Sequence, residues 1–266
     1  MRRLGAVGRA VALIMVVTAC GAGCGWSAAS SPQAEGTPDA AAPPPGTRSS
    51  AVPAGKVASV GVLVNGDDHT CTASVVDSPR GNVVATAAHC ATGLPPDSVE
   101  FAPGFSGAGK GTFPYGKWKV RSVQVDERWT ADHEDAADYA FLTVEPDAQG
   151  RSVQSVVGSS APDWGAGPDQ RVTVVGYPDE EHNPENRPVM CTTDVHRDPD
   201  EAAMLRMECA GFWVGTSGSP WLVDYRGPDR LGRIVGVLSG GDTDVESTAA
   251  LFDAKARSVY ERATRA

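Results

Sequence analysis

The chain has 266 residues, 41% of them hydrophobic, enough to bury a core as one large domain or two small ones. A formal net charge of -10, with no Lys/Arg cluster anywhere, excludes the basic face that a nucleic-acid partner requires.

Residues 1–19 carry a basic start (Arg2, Arg3, Arg9) followed by the short apolar run Val11–Val17, the layout of an export signal. The run is too short to span a bilayer. Val17-Thr18-Ala19-Cys20 resembles the lipobox of bacterial lipoproteins, which would make Cys20 the lipid-bearing mature N-terminus. Cleavage after Ser27-Ala28-Ala29 is the competing reading and would discard Cys20 and Cys24 together; the lipobox is the better match. Residues 20–55 are dominated by Ala, Pro, Ser, Gly and Thr and read as a disordered tether, because such a composition cannot bury a core.

From Lys56 onward, short valine-rich runs alternate with Gly, Pro, Asp and Asn. Strands are predicted at 57–64, 70–76, 82–87, 120–125, 139–144, 171–176, 221–224 and 234–239. Many short strands separated by turn signals indicate an all-β sandwich or barrel. Their number suggests two barrels within residues 56–266, divided near 145–168. Only residues 253–264 read as helical, with Ala256, Val259, Tyr260 and Ala263 on one face.

The six cysteines fall into three close groups, none with Cys-x-x-Cys spacing, so two disulfides among Cys71, Cys90, Cys191 and Cys209 are expected, in an oxidising compartment. Three pairings are open on sequence grounds; 71–90 with 191–209 is the expectation that a strand arrangement must support. The crowd of Asp132, His133, Glu134 and Asp135 lacks metal-ligand spacing on a regular element, and neither a metal nor any other cofactor is expected.

Three stretches hold residues that could carry chemistry, although each alone also fits an ordinary turn, a packed histidine or a solvated acidic loop. Thr86-Ala87-Ala88-His89-Cys90 follows a predicted strand and ends in a cysteine able to anchor the histidine. Asp138 heads the apolar strand Tyr139-Ala140-Phe141-Leu142, where a carboxylate can be held buried against a histidine; Asp132, Glu134 and Asp135 are rivals without that adjacency. Gly215-Thr216-Ser217-Gly218-Ser219-Pro220 sets a serine between small residues that let the backbone turn sharply and present a hydroxyl beside outward N–H groups.

In their order, these stretches resemble the motifs of the chymotrypsin-like (trypsin-fold) serine proteases, in the chain order His, Asp, Ser. Thr173–Pro178, with its Gly176-Tyr177-Pro178 end, and the serine stretch resemble the bacterial glutamyl-endopeptidase-like branch. The resemblance implies two packed antiparallel six-stranded β-barrels with a C-terminal helix. It also implies a serine endopeptidase with Ser217 as nucleophile, His89 as general base and Asp138 as the acid that orients it, and the N–H groups of Gly215 and Ser217 as the oxyanion hole.

Val235–Gly241 is similar to the strand lining the substrate's main chain, so Ser239 and Gly241, with Gly211 at the pocket position, are expected to touch substrate. Leu238 replaces the histidine of glutamate-specific members, and Gly211 replaces the aspartate of trypsin-like ones, so neither preference carries over. Phe212 and Trp213 either line the pocket or pack in the core. With Thr216 where many animal members have an aspartate, activation through a new N-terminus is not expected.

The expected protein is an exported, monomeric peptidase acting on peptides or proteins, secreted or lipid-anchored at the outer face of the cytoplasmic membrane. The alternatives are a catalytically silent binding module on the same fold, or an esterase sharing its acyl chemistry.

Overall fold

The computed structural model describes residues 49–66 and 68–266; the expected export signal, Cys20, Cys24 and most of the expected tether lie outside the described residues. Fifteen strands build it among those residues. β1 (Ser49–Ser50) and β2 (Val52–Pro53) come first, followed by β3 (Val60–Asn65), β4 (Asp68–Val76), β5 (Val83–Thr86), β6 (Glu100–Pro103), β7 (Trp118–Val125) and β8 (Ala140–Val144). β9 (Ala161–Pro162), β10 (Gln170–Gly176), β11 (Val189–Arg197), β12 (Met204–Ala210), β13 (Pro220–Val223), β14 (Arg233–Thr243) and β15 (Glu246–Leu251) complete the set. The helices are α1 (Ala88–Ala91), α2 (Glu127–Asp132), α3 (Val153–Val157) and α4 (Ala254–Arg265).

Strands β3-β4-β5-β8-β7-β6 close into a six-stranded antiparallel barrel. A second ring runs β10-β11-β12-β15-β14-β13 and back to β10, again antiparallel throughout. Closure leaves neither ring an open edge.

Side chains alternate across each strand with period two, and here both faces are buried. On β5, Val84 points into the first barrel while Val83 and Ala85 face the second; on β8, Leu142 and Val144 point in while Phe141 faces out. The second barrel is filled by Val172, Val174, Leu205, Met207, Trp221 and Val235. Two outer layers join the barrels, one around Tyr139, Phe141 and Phe252, the other around Val62, Val64, Val175 and Tyr177. Two buried faces explain why these strands read as continuous valine runs instead of alternating with polar residues.

The helix expected at the end is α4. Asp253 caps it, its carboxylate accepting the N–H groups of Lys255 and Ala256 at 2.8 Å each. Ala256, Val259 and Ala263 are buried, and the Tyr260 hydroxyl donates to Asp77 O (2.7 Å), so the helix closes back on the first barrel.

The structure departs from the sequence reading in three respects. Strands β6, β9, β11, β12 and β15 were not predicted: β9 has only two residues, β11 is largely polar and half-exposed, and β12 and β15 contain no valine or isoleucine. Their pairing partners, not local propensity, make them strands. α1, α2 and α3 are additional helices; α2 and α3, of six and five residues, are each started by a side-chain cap, Asp126 and Ser152, whereas the four-residue α1 has none. Finally, β1 and β2 lie in the segment assigned to the tether: β1 runs parallel to β12 and β2 antiparallel to β11. Edge pairing needs only backbone groups, so composition gave no sign of it.

Candidate active site

β5 and β8 are neighbours, with Thr86 opposite Ala140, so the residues just beyond their paired ends meet. After β5 the chain takes one extended residue, Ala87, and turns into α1, which carries His89. A disulfide from Cys90 to Cys71 on β4 ties that turn down (Cα–Cα 6.1 Å), and a second joins Cys191 on β11 to Cys209 on β12. The expected pairing is the one found, and both bridges fit an extracellular setting.

Asp138 ends a single 3-10 turn before β8 and is 2% exposed. Its carboxylate is fully engaged. Oδ1 accepts the backbone N–H of His89 (2.9 Å), and Oδ2 accepts His89 Nδ1 (2.7 Å) and the Ser239 hydroxyl (2.7 Å). The contact at Nδ1 sets the imidazole tautomer and turns Nε2 away from the acid. Asp132, Glu134 and Asp135 make no such contact; Glu134 pairs with Arg128 at 3.6 Å.

The neighbouring residue, Tyr139, is anchored as well. Asp126 accepts its hydroxyl at 2.6 Å, together with the Arg128 Nε and Nη2 groups at 3.0 Å each. Burial alone would raise the Asp126 carboxyl, but hydrogen bonds from Arg128 and Tyr139 outweigh it and hold the group well below the usual carboxylate range.

Ser217 sits in the loop between β12 and β13, half-buried. Gly218 shows why the loop needs glycine. Its φ is +83°, and a Cβ there would stand 2.2 Å from both Thr72 O and Thr86 Oγ1 and 3.0 Å from Ala87 N. The serine loop is therefore pressed against the segment leading into His89.

Thr72 joins the parts. Its N–H donates to Ser217 O (2.8 Å) and its carbonyl accepts Thr86 Oγ1 (2.8 Å). Its own hydroxyl donates to Gly215 O (3.0 Å) and accepts the Tyr177 N–H (2.9 Å). Thr72 is completely buried, and nothing in its sequence context marks it.

Within the loop, the N–H groups of Thr216, Gly218 and Ser219 donate to Trp213, Leu238 and Thr216 carbonyls. Among the described residues, the N–H groups of Gly215 and Ser217 meet no acceptor. These are the two donors expected of an oxyanion hole. No hydrogen bond joins Ser217 Oγ to His89 among the described residues; such contacts commonly tighten only once substrate is bound.

Beside His89 lies a cleft of about 400 Å³, lined by Trp129, Asp198, Ser239, Gly240 and Gly241, with Asp135, Asp200 and Glu201 giving it an acidic wall. Arg206 faces two of these acids, Asp198 (2.9 Å) and Asp200 (2.8 Å). Gly241 lines the cleft, as does Ser239, although the serine hydroxyl is committed to Asp138. Gly211 does not line this cleft; its N–H donates to Asp244 O, and a Cβ on it would stand 3.1 Å from that of Ala51 in the N-terminal segment. Phe212 packs in the second barrel's core, whereas Trp213 stacks on His182.

The Gly176-Tyr177-Pro178 strand end also has a local reason. A Cβ on Gly176 would lie 2.2 Å from Ser219 Oγ and 3.2 Å from Thr216 Cγ2, so any side chain there would have to displace buried side chains of the serine loop.

Among solved structures, the chain is similar to the protease Anisep from Arthrobacter nicotinovorans, with a TM-score of 0.70 at 22% identity, covering 80% of this chain and 99% of that one. It is also similar to the thermostable serine protease AL20 from an extremophilic microorganism (TM-score 0.67, 23% identity, 79% and 98% covered). A third likeness is to a Glu endopeptidase (TM-score 0.65, 15% identity, 82% and 98% covered). No curated protein matches the chain. At these identities the structural likenesses establish the two-barrel fold. The family model described as Trypsin matches residues 47–259, spanning both barrels and all three motifs, and the chain therefore belongs to the trypsin family of serine endopeptidases.

Proposed function

We propose that this chain is an exported endopeptidase that cleaves peptide bonds through an acyl-enzyme on Ser217, with His89 as general base and Asp138 as the acid orienting it. The observation that carries the reading is the pairing of a fully engaged, buried Asp138 with His89 Nδ1, alongside two unclaimed N–H groups at Gly215 and Ser217. In this mechanism His89 Nε2 accepts the serine proton as Oγ attacks the scissile carbonyl carbon, and the developing oxyanion takes hydrogen bonds from Gly215 and Ser217. His89 then returns the proton to the leaving amine, and water repeats the sequence on the acyl-enzyme. The Ser239 hydroxyl and the His89 N–H keep Asp138 from rotating, so the imidazole stays aligned through both steps.

The substrate's main chain lies along Ser239–Gly241. Neither glutamate preference nor trypsin-like preference is part of the proposal, since Leu238 and Gly211 occupy the positions that would encode them. The domain acts outside the cytoplasmic membrane as a monomer, anchored through lipid on Cys20 and extended on the tether that follows.

Labelling with an organophosphonate or sulfonyl-fluoride probe tests the catalytic reading. The mature protein should be modified at Ser217, and Ser217→Ala should abolish modification without lowering the melting temperature. A wild-type protein left unlabelled where a control protease reacts would refute it. Mass spectrometry of the mature N-terminus tests the anchor: diacylglycerol on Cys20 is expected, and an unmodified start beyond Cys24 would refute it.

A further inference from the structure

The Val214–Gly215 peptide must point its N–H into the oxyanion hole, and what fixes its orientation is visible around it. A trans peptide is planar with its C=O and N–H directed oppositely. Val214 O accepts the Asp179 N–H at 2.7 Å, so the Gly215 N–H of the same peptide is turned to the other side. Gly215 adopts φ +93°, and a Cβ there would lie 2.7 Å from Tyr177 O and 2.9 Å from Asp179 N, which makes the 177–179 backbone the wall behind the hole. Val214 contributes no anchor of its own, its side chain being 76% exposed.

The wall is itself fastened. The N–H groups of His182 (3.2 Å) and Asn183 (2.8 Å) donate to Asp179 O, and the Asp179 carboxylate accepts His182 Nδ1 at 2.9 Å. The His182 ring then stacks on Trp213 with centroids 4.2 Å apart and planes 12° from parallel. Trp213 directly precedes the peptide in question, and its carbonyl is held by Thr216 N (3.1 Å) and Thr216 Oγ1 (2.7 Å). Thr216 is uncharged and buried, so no ion pair at that position orders the loop.

We propose that Asp179, His182 and Trp213 form a clamp that keeps the Val214–Gly215 peptide in its working orientation, and that all three are positioning residues for the oxyanion hole. The inference rests on the catalytic reading above. The clamp acts only on transition-state charge, so weakening it lowers kcat while leaving KM nearly unchanged.

The test uses the mature protein with a peptide substrate chosen from a library cleavage profile and the matching peptide boronate, whose tetrahedral adduct places an oxygen in the hole. His182→Ala and Trp213→Ala should each lower kcat about 10- to 100-fold, less than or comparable to full loss of one oxyanion donor, with KM changed less than about threefold. Boronate affinity should fall in parallel with kcat/KM. Trp213→Phe retains the aromatic stack and should recover most of the loss, whereas His182→Phe keeps the stack but removes the Nδ1 bond to Asp179 and should recover only part of it. If either alanine variant fails to fold, the other, or Asp179→Ala, carries the same comparison. A wild-type enzyme that labels and turns over, with alanine variants within about twofold of it in kcat and boronate affinity, overturns the clamp and leaves the catalytic reading standing. A wild-type protein unlabelled at Ser217 overturns both.

Discussion

Thr72→Val replaces a completely buried hydroxyl with a methyl group of nearly the same shape, at the point where β4, the serine loop and the end of β10 meet. Two buried backbone groups, Gly215 C=O and Tyr177 N–H, lose their side-chain partner. Each such loss costs about 1–3 kcal/mol, and the added methyl returns about 0.8 kcal/mol at most, for a net destabilisation of about 1–5 kcal/mol. For a domain of this size that corresponds to a fall in melting temperature of about 2–20 °C. Thr72→Ser keeps the oxygen and should stay within about 1 kcal/mol of wild type. Urea denaturation of the mature protein, comparing midpoints at constant m, measures both variants. The Thr72 N–H still holds Ser217 O in either variant, so the valine should loosen Gly215 more than Ser217, and kcat should drop even where the protein remains folded. A Thr72→Val protein within about 0.5 kcal/mol of wild type would refute the reasoning that this hydroxyl is what satisfies the loop.

Removing the bridge next to the histidine, by Cys71→Ala with Cys90→Ala, opens a loop of sequence separation 19 and should cost about 3 kcal/mol by chain entropy, read by calorimetry. Activity should fall further than for Cys191→Ala with Cys209→Ala, because only the first bridge adjoins His89; equal losses would count against that anchoring role. Asp126 supplies the pH dependence. Its folded pKa is depressed, so its stabilising contribution is complete above the unfolded carboxylate value of about 4 and is lost as pH falls below it. Asp126→Asn should therefore be less stable at neutral pH and lose stability less steeply on acidification; an acid-unfolding curve parallel to wild type would contradict the assignment.

The sequence alone put forward the three candidate catalytic residues and their order along the chain. His89, Asp138 and Ser217 could be picked out because a histidine beside a cysteine, an acid at the head of an apolar strand and a serine among small turn-forming residues together resemble one family's motifs in one chain order, each alone being a weak signal. The all-β class was legible because valine runs bounded by Gly, Pro and Asp carry a strong local signal, and α4 because its apolar face repeats at helical spacing.

What tertiary structure decided is whatever depends on a neighbour distant in sequence. β11, β12 and β15 are strands because the second barrel must close, and β1 and β2 because β12 and β11 run on beyond the residues where they pair with each other and leave backbone groups for a passing segment. Ser239 is expected along the substrate's main chain, and its hydroxyl also donates to Asp138, a relation between residues 101 positions apart that no local pattern records. Thr72 and His182 were invisible for the same reason: an ordinary threonine in a strand and a histidine in a turn acquire their contacts to Gly215 and Trp213 only when the fold brings the serine loop against them. Reactive groups can be recognised by type and immediate context, whereas the hydrogen bonds that hold them in register are properties of the packed chain.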